Sequence, residues 1–165
     1  MNYTSLTEYF YKLYNRCLAF MFVPVTGFLY LYHLVLNNRL TPLIIDNDAT
    51  NVILVVFPVM ALIDLTIVHW LSSRHLGRHA SEPSLGIRLD QYVRVVMMRV
   101  VAAVLTSLLM AIGLFLTQHQ YFTVYFAVLV LWIVLQWPTP GKVARDYRLK
   151  GDEKQMVLTK GEAFK

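Results

Sequence analysis

Hydrophobic residues in this chain are gathered into four long runs separated by short polar segments. The runs cover residues of about 17–36, 52–71, 95–117 and 121–137. A membrane-spanning helix needs roughly 20 predominantly apolar residues to cross about 30 Å of hydrocarbon. The first three runs meet this length, and the fourth lies at its lower limit. The pattern therefore predicts an all-α membrane protein with four transmembrane helices.

The composition agrees with a membrane protein and argues against several other classes. Of the 165 residues, 57% are hydrophobic and only 15% are charged, whereas a soluble domain usually carries about a quarter charged residues. The single cysteine, Cys17, excludes a disulfide within the chain. The sequence contains no phosphate-binding loop, dinucleotide fingerprint or nucleophile elbow. We therefore expect a protein that is not an enzyme.

Basic residues are distributed unevenly between the polar segments. Fourteen of the 15 Lys and Arg residues lie in residues 1–16, 72–94 and 138–165 or at Arg99, and the remaining one is Arg39. Cationic residues favour the cytoplasmic side of a membrane. We therefore expect two antiparallel helical hairpins with both termini in the cytoplasm, in a bacterial cytoplasmic (inner) membrane.

The chain is expected to divide into a four-span bundle, residues 1–137, and a basic cytoplasmic tail, residues 138–165. Two prolines after Trp137 should end the fourth helix abruptly. In the tail, KVARDYRLK resembles a short surface helix, and QMVLT resembles a strand that could pair with the edge of a partner's sheet. Both a docking segment and a disordered tail stay open.

Small residues form a stripe on the third span. Ala103, Ser107 and Ala111 recur at every fourth position, and small side chains let membrane helices approach closely. The stripe predicts that the third span packs centrally, within this bundle or against a partner.

The two hairpins also show a possible internal repeat. Residues 7–19 align without gaps with residues 90–102, so that Arg16 matches Arg99. Duplicated hairpins occur in transporters. The alternative is that spans entering from the cytoplasm often begin with an aromatic residue and an arginine.

Asp64 places a carboxylate inside the second apolar run. A charge at the centre of a span costs roughly 2.5–3.5 kcal/mol on insertion scales, so such a residue seldom faces lipid. Arg16 and Arg99 begin the spans that enter from the cytoplasm, and they are the expected counter-ions in a structural ion pair. Two alternatives stay open: a proton- or cation-coupled site, and a protonated Asp64 that is hydrogen-bonded near Thr106 or Ser107.

Histidines near the ends of the spans are weak candidates for metal or haem binding. His75 and His79 would share one face of a helix, but Gly77 weakens that helix, and no zinc-binding motif accompanies them. His33 and His69 are expected near opposite ends of their spans, so they cannot ligate one haem together. We therefore predict no metal and no haem cofactor.

These features favour a non-catalytic integral membrane protein that is a subunit or an assembly factor of a larger membrane protein complex. The expected partners are the lipid bilayer with its anionic headgroups, and other membrane chains or further copies of this chain. Nucleic acid is not expected, because the cationic surface is tied to the membrane. The alternative function is a small oligomeric transporter or channel for protons or ions that uses Asp64.

Overall fold

The computed structural model describes residues 5–80, 82 and 84–161, and these residues form six α-helices and no strand. The helices are α1 Leu6–Leu36, α2 Asn47–His79, α3 Leu85–Thr117, α4 Tyr121–Leu135, α5 Pro140–Asp146 and α6 Gly151–Leu158. Helices α1, α2 and α3 are each long and apolar enough to cross a membrane. A fourth span is present if α4 and α5, which are bent by 76° relative to each other, form one broken span. The prediction of an all-α fold with long apolar helices able to span a membrane is confirmed, with three such helices or up to four.

The three long helices extend well beyond the apolar runs that revealed them. The side chain of Ser5 accepts a hydrogen bond from the Glu8 amide at 3.1 Å and caps α1, so the polar amino-terminal segment is the beginning of α1. At the other ends, α2 continues to His79 and α3 already begins at Leu85. Hydropathy marks only the part of a helix that is soluble in lipid, which is why these polar turns were not assigned to the spans.

Helix α4 is shorter than the run that predicted it. It ends at Leu135, before the expected limit of residue 137, and its 15 residues rise only about 22 Å. Pro138 cannot donate a backbone hydrogen bond and so prevents the helix from continuing. Helix α5 then begins with Pro140 in its first turn, and the Thr139 side chain caps it by accepting from the Lys142 amide at 3.3 Å.

Helix α3 lies at the centre and packs against α1, α2 and α4. In its most apolar segment 44% of the residues are buried, compared with 17% in the corresponding segments of α1 and α2. A close approach between α3 and α4 depends on Gly113, because the Phe122 ring occupies the space where a Cβ atom would stand. The outer apolar faces of α1 and α2 stay exposed, as is expected of helices that face lipid.

Two hydrophobic clusters lie at opposite ends of the bundle. One contains Phe28 of α1 stacked on Phe126 of α4, with ring centroids 3.8 Å apart. Near this end, the loop between α1 and α2 is hydrogen-bonded to α3. The amides of Leu43 and Ile44 both donate to the Leu116 carbonyl, at 3.1 and 3.0 Å. The other cluster joins the first turns of α1 and α3 to the carboxyl-terminal segment.

The carboxyl-terminal segment is helical and packs on the bundle. Val143, Tyr147 and Val157 are at most 3% exposed and belong to the cluster at the beginning of α1 and α3. The prediction of a strand at QMVLT was wrong, since its first four residues complete α6. Periodicity over five residues cannot separate a strand from a short helix, and here Val157 becomes buried as part of a helical face.

Candidate functional site

The Asp64 side chain is partly buried between α2 and α3. Buried Ala61 and Val68 stand three and four residues away from it on the same face of α2, and this spacing directs all three positions toward α3. The Thr106 hydroxyl of α3 donates a hydrogen bond to Asp64 Oδ2 at 3.1 Å. Thr106 is one of the two hydroxyl partners named in the alternative of a protonated, hydrogen-bonded Asp64, and its hydrogen bond is one that an ionised carboxylate accepts equally well.

The structure places Arg99 beside a different carboxylate. Arg99 is 6% exposed, and its Nη1 atom lies 4.0 Å from Asp146 Oδ2 at the end of α5. Sequence reasoning missed Asp146 because the segment after residue 137 was expected to lie apart from the bundle. Its only signal was a lone acidic residue among the basic residues of KVARDYRLK.

The paired positions of the possible repeat have different surroundings. Arg16 is exposed on α1 whereas Arg99 is buried on α3, and Ala19 is exposed whereas Ala102 is buried. The difference follows from position, since α3 is surrounded by other helices and α1 lies at the side of the bundle. The structure therefore brings Asp64 to Thr106 and Arg99 to Asp146.

An open apolar groove runs between α1 and α3, with a volume of about 710 Å³. The small-residue stripe of α3 contributes to it unequally. Ser107 and Ala111 line the groove, while Ala103 is 1% exposed inside the bundle. The Ser107 hydroxyl is 2% exposed and donates to the Ala103 carbonyl at 2.7 Å, which satisfies its polar group within α3 and leaves the groove wall apolar.

The α1 wall of the groove carries two small residues, Ala19 and Gly27, with the larger Val23 between them. Ala19, Val23 and Gly27 line it at intervals of four residues, so they lie on one face of the helix. A Cβ atom added to Gly27 would meet no other atom within 4 Å. Gly27 therefore makes no room for a neighbour inside this chain, in contrast to Gly113.

The histidines lie in separate places. His75 and His79 are both in α2 and line a cavity of about 340 Å³ together with Gln91 and Arg94 of α3. The Arg94 cation in the same cavity disfavours a metal dication by charge repulsion. Within the described ranges, no group of three side chains is arranged to hold a metal ion.

His33 and His69, the two histidines considered as haem ligands, also lie far from each other. His33 is at the end of α1, where Asn37 Nδ2 lies 3.3 Å from its ring, whereas His69 lines a polar cavity with Arg99 near the other end of the bundle.

No protein-family model, curated protein or solved structure matches this chain.

Proposed function

We propose that this chain is a non-catalytic integral membrane protein that acts as a subunit or an assembly factor of a larger membrane protein complex. A transmembrane helix of a partner chain docks in the groove between α1 and α3. The observation that carries the proposal is the groove itself, which is open, apolar and lined with small side chains on both walls.

The shape of the groove favours a helix over a small ligand or a single lipid tail. Bulky exposed side chains, Phe20 and Val23 on α1 and Leu108 on α3, stand beside small ones at Ala19 and Gly27. This alternation of large and small side chains along the groove gives ridges and depressions into which the side chains of a docked helix can pack. Helices in lipid associate through this close van der Waals packing, since lipid tails are as apolar as leucine and give little hydrophobic drive.

The proposal includes an orientation, with four spans arranged as two antiparallel hairpins and both termini in the cytoplasm of a bacterium. Its main support is the concentration of 14 of the 15 Lys and Arg residues in segments assigned to one side. A contact between the first turns of α1 and α3 agrees with it, because the Tyr9 hydroxyl donates to the Leu89 carbonyl at 2.9 Å. In this orientation α4 alone, with 15 residues, is a short fourth span, and α5, bent by 76° from α4, lies outside the hydrocarbon on the cytoplasmic surface.

The test fills the groove without disturbing the bundle. A Cβ atom at Gly27 meets no atom within 4 Å and the residue lines the open groove, so the ring of Gly27→Phe should enter the groove and displace the partner helix while the fold persists. Val55→Phe is the control, because Val55 is 64% exposed on α2 and lies outside the groove. Native mass of the complex extracted in mild detergent should fall with Gly27→Phe and stay unchanged with Val55→Phe.

A photo-crosslinking residue at position 27 identifies what occupies the groove. We expect it to link to a membrane-spanning segment of one other chain, and a crosslinker at position 55 should not give that product. Links to a second copy of this chain, or an unchanged native mass with Gly27→Phe, would contradict a groove that receives a different subunit.

The second candidate is an ion- or proton-coupled transporter or channel, and it is favoured by one observation. Asp64 is only partly buried and is held by a neutral hydroxyl, Thr106. A carboxylate within a span that is held in this way can exchange a proton if water reaches it. This candidate differs from the first in depending on the ionisable group of Asp64.

A further inference from the structure

A polar cavity lies between the carboxyl-terminal part of α2, the middle of α3 and the helix α5. It has a volume of about 500 Å³. Its charged lining consists of Arg99, Lys142, Arg145, Asp146 and Arg148. The cavity is distinct from the apolar groove, with which it shares no lining residue.

Positive charge exceeds negative charge in this lining. Among the described residues, four cationic side chains face the cavity and only one carboxylate, Asp146, opposes them. Two of the cations are buried, since Arg99 is 6% and Lys142 is 9% exposed. The two buried cations share a single carboxylate, Asp146, whose Oδ2 atom lies 4.0 Å from Arg99 Nη1. Buried charge is costly unless a charge of opposite sign offsets it.

Both buried cations retain capacity to donate hydrogen bonds. Arg99 Nε forms no hydrogen bond with any described residue. Lys142 Nζ donates to two neutral oxygens, the Leu135 carbonyl at 3.1 Å and Gln136 Oε1 at 2.6 Å. An ammonium group carries three donors, so one remains for a ligand.

The electrostatics of Lys142 agree with a site that lacks negative charge. Burial, followed by repulsion from Arg99 and Arg145, lowers the pKa of Lys142, and Asp146 only partly opposes this effect. An anion in the cavity would raise this pKa again. Its binding would therefore weaken as the pH rises through the pKa of Lys142 in the free protein.

The cavity also lies beside a lipid-facing surface. Leu135, the last residue of α4, lines it and is 77% exposed. His69 lines it from α2, and the next residue, Trp70, is 53% exposed. Tryptophan is enriched at the boundary between headgroups and hydrocarbon, and basic pockets at the cytoplasmic ends of membrane helices bind phosphate-containing headgroups.

We propose that this cavity binds a phosphate group, which Arg99 and Lys142 hold from within and Arg145 and Arg148 hold at the entrance. Arginine matches phosphate well, because its planar guanidinium donates two parallel hydrogen bonds to phosphate oxygens. The phosphate of an anionic phospholipid and free phosphate offer the same chemistry to these donors.

The full-length protein, purified in a nonionic detergent, allows both sources to be tested. Native mass spectrometry measures binding of phosphatidylglycerol, with phosphatidylcholine for comparison, and equilibrium dialysis measures binding of inorganic phosphate. The variant Arg145→Gln with Arg148→Gln removes two cations whose side chains are exposed. We expect affinity for at least one of the phosphate probes to fall by about tenfold or more, the loss expected when charge-assisted hydrogen bonds are removed.

Arg94→Gln is the matched control, because Arg94 is an exposed cation on α3 that does not line this cavity. Binding of phosphatidylglycerol that is lost only in the double variant supports a lipid phosphate. The same result with inorganic phosphate supports a free phosphate. If neither probe binds, or if the double variant and Arg94→Gln behave alike, the proposal is overturned. Arg148→Gln alone replaces the double variant if thermal melting shows that the latter is unfolded.

Discussion

At the scale of single residues, Asp64 distinguishes the two candidate functions. Asp64→Asn keeps the shape of the side chain, and the Thr106 hydroxyl, which now donates to Oδ2 at 3.1 Å, can donate to the amide oxygen instead. We expect the variant to fold and to remain in its complex, because the proposed docking groove does not include Asp64.

Proton flux into vesicles reconstituted with the purified protein provides the measurement for this prediction. We expect no flux that depends on Asp64. A flux that the unmodified protein supports and Asp64→Asn abolishes, while the native mass stays constant, would establish the transporter or channel instead. Thr106→Val is the companion variant, since it removes the hydrogen-bond donor and leaves the carboxylate in place.

Two glycines give opposite predictions for the same substitution. In Gly113→Ala the new methyl group would overlap the Phe122 ring, which is 0% exposed, so the ring would have to shift within the packed interior. Overpacking of this kind costs about 1–3 kcal/mol. In Gly27→Ala the methyl group meets no atom within 4 Å, and alanine favours a helix by up to about 1 kcal/mol over glycine.

Thermal melting of both variants in the same detergent tests this contrast. We expect the melting temperature to fall for Gly113→Ala and to be unchanged or higher for Gly27→Ala. Equal effects of the two substitutions would show that α3 and α4 do not depend on the close approach at Gly113.

At the scale of elements, a hydrogen bond and an ion pair connect α5 and α6 to the beginning of α3. The Tyr147 hydroxyl, just after α5, donates to the Arg88 carbonyl at 2.7 Å. From α6, Glu153 forms an ion pair with Arg88 at 2.5 Å. Because Tyr147 is 3% exposed, its ionisation would place a negative charge in the hydrophobic cluster that joins these helices.

This burial predicts how stability depends on alkaline pH. Burial raises the pKa of Tyr147 from 10.0 to about 12, with Asp146 adding to the effect and Arg88 opposing it. Between pH 10 and 12 the folded state therefore keeps a proton that the unfolded chain releases. Its contribution to the free energy of unfolding is fully present below pH 10 and is lost as the pH rises toward 12.

Melting temperatures measured from pH 8 to 12 check this dependence. Tyr147→Phe should be less stable at pH 8, by about 1 kcal/mol for the lost hydrogen bond, and its stability should fall less steeply above pH 10. Tyr11→Phe, at a tyrosine that is 66% exposed, should follow the unmodified protein. Parallel slopes for Tyr147→Phe and the unmodified protein would contradict the role given to Tyr147.

At the scale of the whole molecule, burial is organised around α3. Much of its surface contacts α1, α2, α4 and the carboxyl-terminal segment, so a buried polar group on α3 can be partnered only by other groups of the protein. Thr106 does so with Asp64, and Arg99 lies near Asp146. The outer helices instead keep many apolar side chains exposed, such as Val55 and Leu62 of α2.

The sequence alone was sufficient to predict an all-helical fold with helices able to span a membrane, and the approximate positions of the long helices. This is possible because a span is a local property, set by about 20 apolar residues in succession. The sequence also indicated that Asp64 and the small residues of α3 deserve a structural explanation, since charge is rare within spans and small residues permit close packing.

The contacts between side chains of different helices became known only from the tertiary structure. Arg99 and Asp146 are 47 positions apart in the sequence, and no local pattern could show that α5 folds back to the bundle. The most apolar segments of α2 and α3 have the same mean hydropathy, 2.4, yet 17% of the residues are buried in α2 and 44% in α3. Neighbours across helices depend on rotation, register and bending of whole elements, and these follow from side-chain packing between segments that are distant in the chain.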